Sequence, residues 1–316
     1  IYIICWGIKH FRDNRIILTY NLNVPPILPL LVVARLTGAR LVSILYDVAW
    51  PESLTLGFVR EFAYKTLIKI STWCIPRLDG RIVITNSISE RYAPNEHALL
   101  VDGGVTDLVI GRLFPLKIGE EKKEIDILFA GGLDEWNHIP LLLEMMNNNQ
   151  DNRCRLWLVG DGRCRNKVIQ ATKVNTRIRY FGVLGHHDLF QLYQKADILL
   201  NIRNTSDPAM KYHFPSKLLE ILTVGKPVIT TSIAHAAEEY GRYCFILEEE
   251  TPQALFERIQ EIMALSPEER LAFGQRARDY MLREHTWKRQ GEKIRAYLEQ
   301  EVLGEKIETR RRGEKS

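Results

Sequence analysis

The stretch Ala196–Thr231, ADILLNIRNTSDPAMKYHFPSKLLEILTVGKPVITT, decides how the rest of the chain is read. It opens on an apolar run, Ile198 to Ile202, of the kind that forms a buried parallel strand. A polar loop runs from Arg203 to His213. Phe214-Pro215-Ser216 then stops the loop and starts a helix, because Pro and Ser are favoured at helix N-termini. Leu218, Leu219, Ile221 and Leu222 give that helix its buried face, and Gly225 supplies a left-handed cap. Lys226-Pro227 leads into a second apolar strand, Val228 to Thr231. The loop therefore sits at the carboxyl end of a strand, where open α/β sheets bind ligands.

The predicted helix start can hold a phosphate group. Its first amides lack intrahelical partners and carry the positive end of the dipole. Pro215 sets the entry, Ser216 adds a hydroxyl and Lys217 a point charge. Glu220 lies on the same face, roughly 6 Å further along the axis. That separation suits a nucleotide diphosphate, with phosphates at the helix start and ribose hydroxyls at the carboxylate. The same spacing also fits an amphipathic helix whose Lys217 and Glu220 are merely solvated.

FPSKLLE followed by GKPVITT, with NIR upstream, resembles the donor-binding segment of retaining glycosyltransferases of the GT-B fold, family-4 type. The resemblance implies an α/β chain of two doubly wound Rossmann-like domains facing a cleft, with C-terminal helices crossing back. It implies that Glu220 binds ribose, as the second Glu of a Glu–seven-residues–Glu motif. Tyr212 stands at the first Glu of that motif, and the pair Lys211-Tyr212 fits a subgroup pattern. Gly131-Gly132 matches the loop set against the donor pyrophosphate. Relatives often carry Arg and Lys just beyond it, whereas here Leu133 and Glu135-Trp136-Asn137-His138 follow, so phosphate charge falls on Lys217 and Arg203. Asp47, at the end of a strand and preceded by Tyr46 where many relatives have His, matches an acid on the acceptor side; it reads equally as a loop cap.

Composition sets outer bounds. The chain has 316 residues, 26% charged and 46% hydrophobic, as in an ordinary globular protein with room for two domains. A formal charge of +4, part of it in the Glu305–Ser316 tail, does not call for nucleic acid. Five cysteines lie scattered without CxxC pairs, which argues against disulfides or zinc and suits a reducing, cytoplasmic setting. No acidic motif of the kind that holds a nucleotide-bound metal appears, and no cofactor is expected beyond a nucleotide-sugar co-substrate. The basic, aromatic-bearing stretch Leu56 to Ile75 reads first as a helix packed on a sheet. It reads second as a helix in weak peripheral contact with an anionic membrane at its inner face.

Taken in order, Ile1 to Trp6, Arg15 to Tyr20, Ala39 to Tyr46, Gly80 to Thr85 and Ala98 to Asp102 read as strands of the first half. Pro26 to Leu36 reads as a helix, and Ile110 to Lys123 as a linker. The second half alternates IDILFAGG, RLWLVGDG, RIRYFG, ADILLNI and PVITT with helical stretches, the pattern of a parallel sheet covered on both faces. Helices follow from Pro252. The expected division is 1–112 for the acceptor-side domain, 113–285 for the donor domain, 286–303 for a helix returning to the first domain, and 304–316 for a disordered basic tail. The chain begins with Ile, and its first half lacks a glycine-rich loop after an early strand. It is therefore read as missing its first strand–helix units, which would spare donor binding and impair transfer. The expected activity is metal-independent, retaining transfer of a sugar from a nucleotide-diphosphate donor to a glycan or lipid-linked acceptor in polysaccharide biosynthesis. The competing readings are a non-catalytic nucleotide-sugar-binding module and a GT-B-type sugar epimerase.

Overall fold

The structure, a computed structural model, describes residues 15–21, 24–46, 62, 65–66, 69–70, 72–92, 97–118, 124–149 and 151–304. The expected strand Ile1 to Trp6, the residue Asp47, much of the Leu56–Ile75 helix and the tail beyond 304 lie outside these. The chain forms two compact units: Ile1–Asp102 with Gln290–Ser316, and Gly103–Arg289.

The first unit carries a parallel sheet in the order β1 (Ile16–Tyr20), β2 (Arg40–Leu45), β3 (Gly80–Val83) and β4 (Leu99–Leu100). Helix α1 (Val24–Thr37) joins β1 to β2, and α2 (Asn86–Tyr92) lies between β3 and β4. β1 was expected to be buried, yet Leu18 is 51% and Tyr20 59% exposed, because β1 is the outermost described strand of its sheet. On one face of the sheet, Val42, Ile82 and Val101 pack with Tyr297 and Val302 from the C-terminal segment. The Tyr297 hydroxyl accepts from the Arg81 amide at 2.9 Å, which fixes that segment to β3.

The second unit begins with α3 (Asp107–Ile110), which ends at Ile110, the first residue of the stretch expected to be linker. It then alternates β5 (Ile125–Ala130), α4 (Ile139–Asn148), β6 (Cys154–Val159), α5 (Arg165–Val174), β7 (Ile178–Tyr180), α6 (His186–Lys195), β8 (Ile198–Asn201), α7 (Lys217–Thr223) and β9 (Val228–Thr231). After α8 (Ala236–Tyr240) comes β10 (Phe245–Leu247), a strand too short to show in the sequence pattern. Helices α9 (Pro252–Ala264) and α10 (Pro267–Glu284) follow, and α11 (Trp287–Tyr297) starts in this unit and continues from Gln290 as part of the first. The six strands are all parallel, in the order β10-β9-β8-β5-β6-β7. Their continuous apolar runs are explained by helices on both faces. The order reverses at β5, which pairs with β6 on one side and β8 on the other. A crevice opens at such a reversal, beyond the carboxyl ends of the two strands that diverge from it.

The end of α7 is held by α10. Gly225 takes φ +78, the left-handed position required of the cap. Arg278 donates to the Thr223 and Val224 carbonyls at 2.9 and 2.5 Å, satisfying last-turn acceptors that the helix itself leaves open. Gly274 lets the α10 backbone approach closely, since a Cβ there would stand 2.0 Å from the Gly225 carbonyl oxygen. Gly274→Ala is therefore expected to lower the unfolding free energy by about 1–3 kcal/mol through overpacking. Urea unfolding of the variant beside the unaltered chain measures it; equal midpoints would refute this account of the contact.

Candidate functional site

Three loops converge at the carboxyl ends of β5, β6 and β8. The loop after β5 is Gly131-Gly132-Leu133, seated on the turn Gly160-Asp161-Gly162 that follows β6. Leu133 donates to the Asp161 carbonyl at 2.8 Å, and Cys164 donates to the Leu133 carbonyl at 2.7 Å. Gly160 has φ +131, and a Cβ there would lie 1.9 Å from the Gly131 carbonyl oxygen. That turn carries little information by itself in the sequence; here its glycines are what allow the two loops to touch.

The Gly131 N–H donates to the Val159 carbonyl at 3.0 Å, so it is not available to a ligand. The Gly132 N–H has no acceptor among the described residues. Gly132 is fixed by Asn137, whose side-chain amide donates to its carbonyl at 2.9 Å, and Asp134 caps the following turn by accepting from the Asn137 amide. The expected pair of phosphate-facing amides thus reduces to one. Asp134 and Asn137 were missed, although an Asp three residues before an Asn is a recognisable cap pattern.

The start of α7 departs from expectation in a similar way. Ser216 is exposed and makes no capping bond with its side chain. The Ser216 amide donates to the Phe214 carbonyl, and the Leu218 and Leu219 amides close onto Pro215 and Ser216 at 2.7 and 3.2 Å. The amides of Ser216, Leu218 and Leu219 are therefore turned inward by this tight first turn, the Lys217 amide has no acceptor among the described residues, and the helix is only seven residues long. Positive charge at the site comes from side chains.

Lys217 reaches back to β5, where its Nζ donates to the Ala130 carbonyl at 3.0 Å, one residue before Gly131. Burial lowers its pKa, Glu220 offsets part of that effect and Arg203 adds to it, so the three groups share one field. Arg203 follows β8, its amide bound to the Thr231 hydroxyl at 3.0 Å. Its pKa is lowered by burial and partly restored by Asp134. Glu220, half-buried, has its Oε1 shielded from solvent with no hydrogen-bond partner. A buried carboxylate oxygen without a donor is costly unless a ligand supplies one.

The other candidates stand apart. Pro215 is buried beneath the turn. Tyr212 is 5% exposed, which leaves little of its ring to meet a ligand. Phe214 stacks on His235 at 4.8 Å and anchors the turn before Lys217. Among the described residues no group of three His, Cys, Asp or Glu side chains is placed to hold a metal ion. No helix among them is long and apolar enough to cross a membrane.

Comparison with known proteins bears on this arrangement. The family profile described as "Glycosyl transferases group 1" matches residues 114–280. Among solved structures, HepE of Anabaena in complex with UDP superposes with a TM-score of 0.72 at 14% identity, covering 93% of this chain and 81% of that one. Sucrose-phosphate synthase of Thermosynechococcus elongatus gives 0.63 at 16% identity, covering 94% and 77%. WaaG, a glycosyltransferase involved in lipopolysaccharide biosynthesis, gives 0.52 at 17% identity, covering 89% and 90%. These likenesses show the fold, the GT-B type with two parallel sheets. No curated protein matches the chain.

The partly buried cation Lys217 leads to a paired expectation. Lys217 sits below its ordinary value of 10.5, first because of burial. Between its folded and unfolded values the unfolded chain binds more protons, so stability rises with pH through that window and is lowest below it. Lys217→Met should raise stability at pH 7 by about 1 kcal/mol, an advantage that fades as the pH approaches 10.5. The same change should weaken inorganic pyrophosphate binding by about 1.5–3 kcal/mol. Thermal unfolding at pH 7 and pH 10, with a pyrophosphate titration, checks both. A variant that loses stability and keeps its pyrophosphate affinity would contradict the assignment.

Proposed function

The chain belongs to the group 1 glycosyl transferases, and we propose that it moves a sugar from a nucleotide-diphosphate donor to a hydroxyl of a glycan or lipid-linked acceptor. The proposed transfer retains the anomeric configuration and uses no divalent metal. One observation carries this reading: the unpartnered, shielded Oε1 of Glu220, one helical turn beyond Lys217. A ribose hydroxyl at Glu220 and a diphosphate at Lys217 and Arg203 would satisfy all three groups at once.

In the proposed reaction, the bond between the anomeric carbon and the diphosphate oxygen breaks while the acceptor hydroxyl attacks from the same face and passes its proton to the departing phosphate. The leaving diphosphate gains negative charge at the bridging oxygen. Lys217, Arg203 and the Gly132 N–H are held ready for that charge, a preorganised contribution of the oxyanion-hole type. Burial strengthens these interactions, because the local dielectric is lower than that of water. Two side-chain cations supply the charge that a bound metal would otherwise bring. Asp47 is assigned the acceptor side, on the resemblance described above. HepE has been crystallised with UDP and with UDP-glucose, which makes a UDP-sugar the first donor to try.

Contact with an anionic surface belongs to the proposal as well. Phe62 is 69% and Trp73 52% exposed, and the Arg77 guanidinium lies 3.6 Å from the Trp73 ring. A second reading, a non-catalytic nucleotide-sugar-binding module, is favoured by the buried Tyr212 in place of a motif carboxylate. Release of nucleoside diphosphate that depends on added acceptor separates the two.

Glu220→Ala is expected to weaken donor binding by about 1.5–3 kcal/mol with the fold intact, since it removes the proposed ribose acceptor. Calorimetric titration with UDP and a panel of UDP-, GDP- and ADP-sugars checks it. Unchanged affinity in a folded variant would remove Glu220 from the site. Anomeric configuration of the product, read by proton NMR, tests retention. Loss of transfer in EDTA with recovery on adding magnesium would overturn metal independence.

A further inference from the structure

A second group of ionisable side chains lies behind the phosphate-facing loops. His138 closes the turn after β5 and holds the left-handed conformation, φ 52. Few non-glycine residues adopt that region, and His is one of those found there more often than most. Its Nε2 lies 2.5 Å from Glu250 Oε2, and the two side chains are only 13% and 16% exposed. The Glu250 carboxylate also accepts from the Thr205 amide, at 3.1 Å to each oxygen, and from the Thr205 hydroxyl.

Glu250 has no capping task of its own. Thr251 caps α9, accepting from the Ala254 amide at 3.1 Å. Burying a carboxylate against an imidazole costs desolvation, and the groups it connects are informative. Thr205 stands two residues beyond Arg203, and His138 one residue beyond Asn137, which fixes Gly132. A parallel bond runs from the Asn204 amide to the Trp136 carbonyl at 2.9 Å. One carboxylate therefore ties the loop after β5 to the loop after β8, on the two sides of the crevice where the strand order reverses.

We propose that His138, Glu250 and Thr205 form a clip that sets the separation of Gly132 and Arg203 and thereby the affinity for a nucleotide donor. The proposal rests on the donor reading given above. His138 and Glu250 are positioning residues in it: they act through the loops and do not touch the reacting atoms. Asp134 and Asn137 hold the loop after β5 within itself, and the distant carboxylate adds the constraint across the gap to the loop after β8.

The test uses the full chain with His138→Gly, Glu250→Ala, the double variant and the conservative Glu250→Gln. Glycine accepts the left-handed backbone without strain, so His138→Gly removes the clip while sparing the turn. UDP is the probe, with calorimetry for its dissociation constant and hydrogen exchange at the Asn204 and Thr205 amides without ligand. Each single variant should raise the dissociation constant about tenfold and the double variant no further, because the residues act as one network. Glu250→Gln should fall between the parent and Glu250→Ala. Exchange at Thr205 should quicken about tenfold even in His138→Gly, where Glu250 is still present. With a working donor, kcat/KM should fall at least as far as UDP affinity, because Gly132 and Arg203 also face the charge that develops on the leaving diphosphate. Additive effects of the two substitutions, or unchanged affinity and exchange in folded variants, would overturn the clip. Should the unaltered chain fail to bind UDP, a uridine donor is lost from the functional reading, and Thr205 exchange in His138→Gly alone decides the clip.

Discussion

Lys217 and Arg203 are held in partly buried positions beyond β5 and β8, with burial opposing the charge on each. Two cations in one field repel, and no ion pair relieves either of them within the site among the described residues. Glu220 and Asp134 temper the cost at a distance without contact. Such an arrangement is unfavourable in the empty protein, and the surrounding elements have to enforce it. β5 offers its last carbonyl to Lys217, and Thr231 on β9 fixes the backbone of Arg203. The sheet order brings these groups together: pairing of β5 with β8 at the reversal sets the Arg203 loop beside Ala130, whose carbonyl Lys217 reaches from 87 positions further along the chain.

Much of this was legible in the sequence. The apolar runs of the second half, separated by helical stretches, show a parallel α/β sheet, and Gly225 shows where α7 ends. Lys217 and Glu220 were legible as a charged pair one turn apart. What escaped was everything that depends on tertiary pairing. The Gly160-Asp161-Gly162 turn looks ordinary until Gly131 is seen against it, because a glycine's purpose is defined by the atom that would clash with its Cβ. The three-residue strand β10 has too few positions to show any period. β1 was expected to be buried on its composition, but composition does not reveal which strand will be outermost.

The start of α7 shows why local rules can mislead at a site. Pro215-Ser216 is a good helix opening, and a full helix would present free amides to a phosphate. The first turn instead winds tightly, with i to i+3 bonds from Leu218 and Leu219. Phe214 is stacked on His235 and Pro215 is buried, so the residues that lead into this turn are anchored in the packing. Tertiary packing overrides propensity here, and the electrostatic task passes from backbone dipoles to side chains. The two solutions are not equivalent. Amide dipoles point in fixed directions and cost nothing in desolvated charge, whereas Lys217 and Arg203 carry full charges that the fold must hold against water.

That distinction bears on how the loops are supported. Backbone amides are positioned by the helix that bears them. A long cationic side chain is positioned only if its own loop is rigid, and rotamer freedom in Lys or Arg is worth about 2 kcal/mol when lost. The loop of Arg203 is polar from Arg203 to Asp207 and has few apolar side chains to anchor it. Its rigidity has to come from hydrogen bonds: the Arg203 amide to Thr231, the Asn204 amide to Trp136, and Thr205 to Glu250. Each reaches a different element, so the loop is braced against β9, the turn after β5 and the approach to α9. A site that relies on side-chain charge instead of helix amides therefore needs this bracing, and the polar character of the loop follows from the same choice.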